Sequence, residues 1–167
     1  MDLENKTLRW LKLLNAKALA IDTGVWIEAL IQNAPYYKLA NFLIKKVLKG
    51  EIQALITPLT ATEILYITHR IYRETYKDEK IARNKALEYF DTIYHNENVL
   101  VRINKEIIVN AAEIKIKYSL SMSDSYILSL AKTHKIPVVF RHIEKEMENK
   151  LDELQKEFKI IFLEQIQ

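Results

Sequence analysis

The chain has 167 residues, of which 49% are hydrophobic and 28% charged, with a net charge of +3 and no cysteine. One domain with a substantial core fits that length, and the composition excludes a disordered chain. Without cysteine there can be no disulfide or thiolate metal site, so a cytoplasmic location is expected, and no apolar run approaches the roughly 20 residues of a membrane helix.

Met1–Asn15 is expected to form an amphipathic helix with Leu3, Trp10, Leu11 and Leu14 on one face, and it lacks the pattern of a signal peptide. Lys17–Ile21 is a short apolar run that reads as a buried strand, turning at Asp22-Thr23-Gly24. Val25–Gln32 and Tyr36–Lys49 carry helical periodicity, and Gly50 suits the end of the second. Ile52–Thr57 is the next strand, and Pro58 and Thr60 open a helix that continues to about Tyr76. Asp78–His95 reads as a further helix and Val99–Ile103 as a strand. Asn104 caps a helix over Lys105–Tyr118, followed by a helix at Ser123–His134 and a strand at Pro137–Phe140. Ile143–Phe158 is expected to be mostly helical and Lys159–Leu163 a closing strand. Apolar strands alternating with helices predict a single-domain, three-layer α/β/α fold with a mostly parallel, Rossmann-like sheet.

Ligands in such folds bind beyond the carboxyl ends of the strands. Asp22 sits just past the first strand, Glu63 near the start of the helix after the second, and Asp124 at the start of the helix before the fourth. The three can share one edge of the sheet. Each also has a simpler reading as a helix cap. Asp22 can start a helix, Thr60-Ala-Thr-Glu63 has the form of a capping box, and Ser121-Met-Ser-Asp124 has the related acidic form.

The local contexts add to this. The run ALAIDTGVWIEAL resembles the opening strand and first acidic residue of a PIN domain. ITPLTATEILYI resembles the second motif of that family, and YSLSMSDSYILSLAKTHKIPVVF the third. The resemblance runs from about Lys17 to Leu163, which divides the chain into an N-terminal helical extension, 1–16, and a PIN-like nuclease domain, 17–167. It implies a divalent-metal-dependent endoribonuclease that hydrolyses RNA phosphodiester bonds, with Asp22, Glu63 and Asp124 as catalytic residues holding Mg²⁺ or Mn²⁺. Small members of the family are commonly VapC-type toxins, which implies an RNA substrate, a small antitoxin partner and a homodimer. The alternatives are a weakened PIN-like module that binds RNA or protein, or a nuclease of RNA maturation.

Two positions depart from the family pattern. Members often carry T-x-D after the fourth strand, whereas this chain has Phe140-Arg141-His142, with His142 where Asp is expected. Three readings stay open: Glu144 supplies the carboxylate to the metal, His142 is an altered ligand through nitrogen, or the site is weakened. Gly24 stands where many members have a hydroxyl, with Thr23 beside it. RNA needs a cationic track. Arg141 and Lys145 are the expected RNA-binding residues, and Arg70 and Arg73 could extend the track; the simpler reading of each is a solvated charge. Trp26, Tyr66 and Tyr126 could stack on bases but are expected to pack in the core.

Overall fold

The computed structural model describes residues 15–166, and the amphipathic helix expected before Ala16 falls outside them. Five strands form one sheet: β1 (Ala18–Ile21), β2 (Gln53–Ile56), β3 (Val99–Val101), β4 (Val138–Phe140) and β5 (Ile160–Phe162), in the order β3-β2-β1-β4-β5. Every neighbouring pair is parallel; Ala20 pairs with Leu55 on one side and Val138 on the other. The expected three-layer fold is therefore the observed one.

Seven α-helices among the described residues connect the strands: α1 (Thr23–Glu28), α2 (Tyr37–Leu48), α3 (Pro58–Tyr76), α4 (Glu79–Tyr94), α5 (Lys105–Tyr118), α6 (Met122–His134) and α7 (Leu151–Glu157). Alternate strand residues point to opposite faces. Leu19, Ile21, Ile56 and Val139 meet Val25, Trp26, Leu43, Ile64 and Ile93 from α1 to α4. Ala20, Leu55, Val138, Phe140 and Phe162 meet Ile107, Leu128 and Leu154 from α5 to α7. Burial on both faces explains why the strands read as continuous apolar runs rather than alternating ones. None of the described helices is long and apolar enough to cross a membrane.

Most helix starts follow the expected chemistry. Pro58 occupies the first turn of α3 and Asn104 caps α5 by accepting from the Ile107 N–H. Gly50 follows α2 with φ of 78°, a left-handed conformation that costs glycine little. Three segments are shorter than their periodicity suggests. The helix expected over Val25–Gln32 closes at Glu28, where the carboxylate accepts from the Tyr36 N–H and turns the chain. β3 ends at Val101, and Ile103 is exposed. Ile143–Phe158 holds only a 3-10 turn, Glu148–Lys150, and the short α7. There the Ile143 N–H is taken by Glu164, Met147 is buried, and α7 has no side-chain cap to extend it backwards.

The end of α7 is fixed by Glu157, which accepts from Lys117 at 2.8 Å, Lys132 at 2.7 Å and Tyr118 at 2.7 Å. Burial alone would raise this carboxyl, but those bonds outweigh it and lower its pKa to about 2. A depressed carboxyl pKa adds stability above its ordinary value of 4.5, and that stability fades as pH falls towards about 2. Glu157→Gln is therefore expected to cost on the order of 1 kcal/mol at neutral pH, the lysines being solvent-exposed. Thermal melts should show the gap from wild type closing as pH falls below about 4; a gap that persists near pH 2 would contradict the assignment.

Candidate functional site

The carboxyl edge of the sheet opens into a cleft of about 710 Å³, and Asp22, Glu63, Asp124, Arg141, Glu144 and Lys145 all line it. A hollow of about 740 Å³ lies at the opposite edge, lined by residues such as Lys17, Pro137 and Lys159, with no carboxylate among its described lining residues.

Asp22 follows β1 and its N–H donates to Val139 O on β4 at 3.0 Å. Its carboxylate caps α1, accepting from the Gly24 N–H at 2.8 Å. Glu63 lies in the second turn of α3. The capping-box reading does not hold for it, because Thr57 is the N-cap and accepts from the Thr60 N–H. Instead one Glu63 oxygen, Oε2, accepts from Thr23 Oγ1 at 2.5 Å and from Ser123 Oγ at 2.8 Å. A single carboxylate thus ties the starts of α1 and α6 to α3. Asp124 occupies the first turn of α6, where its N–H donates to Ser121 Oγ at 3.0 Å. The expected cap is real there, and Asp124 still faces the cleft.

Burial is the chief reason both aspartates hold their protons. Asp22 and Asp124 are each 8% exposed. Asp22 is raised to about 7 by burial and then by the charge of Asp124, against the lowering bond from Gly24. Asp124 is raised to about 6 by burial, against a lowering bond from Ser121, with Glu144, Glu146 and Glu63 adding repulsion. Among the described residues no group of three or more His, Asp or Glu side chains is gathered tightly enough to hold a metal ion.

After β4 the chain turns at Arg141 and His142. Arg141 Nε donates to His142 Nδ1 at 2.9 Å, which leaves the proton of a neutral ring on Nε2, 3.5 Å from Glu144 Oε1. Nδ1 is thus engaged, and His142 does not itself line the cleft. Arg141 also pairs through Nη1 with Glu28 at 3.5 Å. Arg70 lines the cleft and Arg73 does not. Of the aromatics, Trp26 is fully buried, whereas Tyr66 is 53% exposed and does not pack in the core.

Three polar contributors escape sequence reasoning: Ser123, Glu146 and Glu28. Ser123 gives no separate signal beside two other serines. Glu28 does give one, as a lone charge within the apolar run VWIEAL. The lining also includes Ile27, Ile31, Ile67 and Ile71, so apolar side chains stand beside the acidic ones in the cleft.

The PIN domain family profile matches residues 19–142. No curated protein matches the chain. A toxin-antitoxin complex from Klebsiella pneumoniae superposes with a TM-score of 0.51 at 20% identity, covering 87% of this chain and 97% of its own. VapBC2 from Rickettsia felis, bound to a DNA fragment from its promoter, superposes with a TM-score of 0.57 at 14% identity, covering 87% and 96%. At these identities the likeness is one of fold.

The raised pKa values have a cost that can be measured. A carboxyl that holds its proton more tightly when folded stabilises the fold fully below the unfolded value of 3.8, and that contribution is lost as pH rises through about 6 for Asp124 and about 7 for Asp22. In EDTA, Asp22→Asn is therefore expected to melt above wild type at pH 8, by on the order of a few kcal/mol in stability. The advantage should shrink steadily towards pH 4. An advantage independent of pH would mean that ionisation of Asp22 is not what strains the site.

Proposed function

The chain belongs to the PIN domain family, and from that premise we propose that it is a divalent-metal-dependent endoribonuclease, the toxin member of a VapBC-type toxin-antitoxin pair. The observation that carries this reading is the meeting of Asp22, Glu63 and Asp124 in one cleft at the carboxyl edge of the sheet, with Arg141, Lys145 and Arg70 on its walls.

The donor set fits a hard divalent cation. It consists of carboxylate oxygens, and burial with neighbouring negative charge raises two of the carboxyls, Asp22 to about 7 and Asp124 to about 6. Mg²⁺ and Mn²⁺ are hard ions that can be held by one or two carboxylates with water completing the sphere. Asp22 and Asp124 are the proposed ligands, with Glu63 and Glu144 as the further carboxylates. When bound, the cation supplies positive charge against phosphate oxygens and lowers the pKa of water.

The chain's own residues do the rest. Thr23 and Ser123 both donate to Oε2 of Glu63 and so hold this carboxylate in the cleft. Arg141, Lys145 and Arg70 take the RNA backbone, whose phosphates the carboxylates alone would repel. The apolar lining residues Ile27, Ile31, Ile67 and Ile71 suit contact with apolar side chains of a small antitoxin. Two solved structures similar in fold are themselves toxin-antitoxin complexes, which supports that partner. A homodimer and a cytoplasmic setting belong to the same proposal. A second reading, a PIN-like module that binds RNA without cleaving it, is favoured by one observation: the position after β4 expected to carry Asp carries His142, whose Nδ1 is already taken by Arg141.

RNA cleavage with Mg²⁺ or Mn²⁺ separates the two. Wild type is expected to cleave single-stranded RNA and to lose activity in EDTA. Asp22→Asn and Asp124→Asn should each reduce the rate by roughly 100-fold or more, since even residues behind a metal's ligands cost ~10–100-fold. Cleavage that survives both substitutions would remove these residues from the mechanism. RNA binding without any cleavage would favour the second reading.

A further inference from the structure

Glu28 is the most deeply buried carboxylate among the described residues, at 2% exposure, and the mechanism above makes no use of it. A charge so placed needs partners. Its Oε1 accepts from the Tyr36 N–H at 2.6 Å, and its Oε2 lies 3.5 Å from Arg141 Nη1. On its other side Arg141 donates Nε to His142 Nδ1 at 2.9 Å. The guanidinium is thus gripped at two nitrogens, yet its side chain remains 41% exposed and lines the cleft. Gly24 gives it the room: a Cβ at that position would lie 3.2 Å from Arg141 Cβ and 3.1 Å from Asp22 Oδ2.

Resting on the ribonuclease reading, we propose that Glu28 and His142 are positioning residues that hold Arg141 at the cleft wall to receive an RNA phosphate. An arginine that only neutralised Glu28 could be wholly buried; this one presents its outer edge beside the carboxylates. Arginine is suited to the task because its planar fork matches phosphate oxygens. Gripping the fork before RNA arrives removes ordering that binding would otherwise have to impose. In this chain His142 serves as a support for a cation rather than as a metal ligand.

The test is binding of a single-stranded RNA oligonucleotide by fluorescence anisotropy, in EDTA, across a salt series, with melts to confirm folding. Arg141→Ala should weaken binding and lower the slope of log affinity against log salt by about 0.7, the signature of one lost phosphate contact on a single strand. His142→Ala should weaken affinity about threefold to tenfold with little change in slope, since the arginine can still reach the phosphate but must be ordered to do so. His142→Asn, whose amide oxygen can accept from Nε, should restore most of the loss. Glu28→Gln should also weaken binding, although it removes a negative charge that simple electrostatics would count against RNA. Should Glu28→Gln fail to fold, the part-exposed His142 pair carries the test.

Wild-type affinity in both His142→Ala and Glu28→Gln, or tighter binding in the latter, overturns the positioning role. If wild type still cleaves RNA in that case, the ribonuclease reading stands. A wild type that neither binds nor cleaves RNA overturns both.

Discussion

The hydrogen bond from the Asp22 N–H to Val139 O, at 3.0 Å, closes the seam between β1 and β4, and the rest of the cleft depends on that seam. The strand order reverses there: β2 and β3 lie to one side of β1, β4 and β5 to the other. Helices leaving the two halves diverge, so a crevice opens where the seam ends. Asp22 follows β1 at that point and Arg141 follows β4. Both are placed by backbone pairing of two central strands whose carboxyl ends are buried. Their separation is set by the spacing of neighbouring strands rather than by flexible loops.

Glu63 does for the helices what that bond does for the strands. Its Oε2 gathers hydroxyls from Thr23 and Ser123, joining three helices that lie far apart in sequence. The arrangement brings Asp124 towards Asp22, and the two then repel each other in a dry setting. Burial first, then the charge of Asp124 on Asp22 and of Glu144, Glu146 and Glu63 on Asp124, raise their pKa values to about 7 and about 6. The structure is therefore held by polar bonds at the same place where it is strained by charge. A cation bound between the two aspartates, as proposed above, would relieve that tension.

Much of this was legible in the residues. The buried strands stand out as short apolar runs because helices cover both faces of the sheet, and Pro58, Asn104 and Gly50 mark helix ends through local backbone chemistry. Asp22, Glu63 and Asp124 each looked like a cap when read alone. For Asp22 the cap and the cleft position are both real, since one carboxylate has several acceptor sites, and for Asp124 the Ser121 hydroxyl makes the cap and leaves the carboxylate to line the cleft. For Glu63 the local pattern misled: Thr57 takes the cap, and the Glu63 side chain is claimed by partners from helices distant in sequence. Distance along the chain also hid Glu28, Ser123 and Glu146. The segment after β4 deceived most, because its charged residues keep helical spacing while Met147 and Glu164 fix the chain in turns. Periodicity reports what a segment could form alone, and tertiary anchors decided otherwise.

The exchange of an expected Asp for His142 changes the charge pattern of the cleft as well as its ligand count. A carboxylate at that place would have faced the Arg141 guanidinium and drawn it into an ion pair. A neutral imidazole instead accepts one N–H and leaves the positive charge unspent. Glu28 balances that charge from behind, out of solvent, so the exposed edge of the guanidinium stays directed to the cleft. Gly24 belongs to the same adjustment, since a side chain there would press on both Asp22 and Arg141. The two departures from the family pattern therefore meet at Arg141, and cationic and acidic groups stand side by side in the cleft. That pairing suits a ligand with phosphate oxygens on the cationic side and a metal on the acidic one.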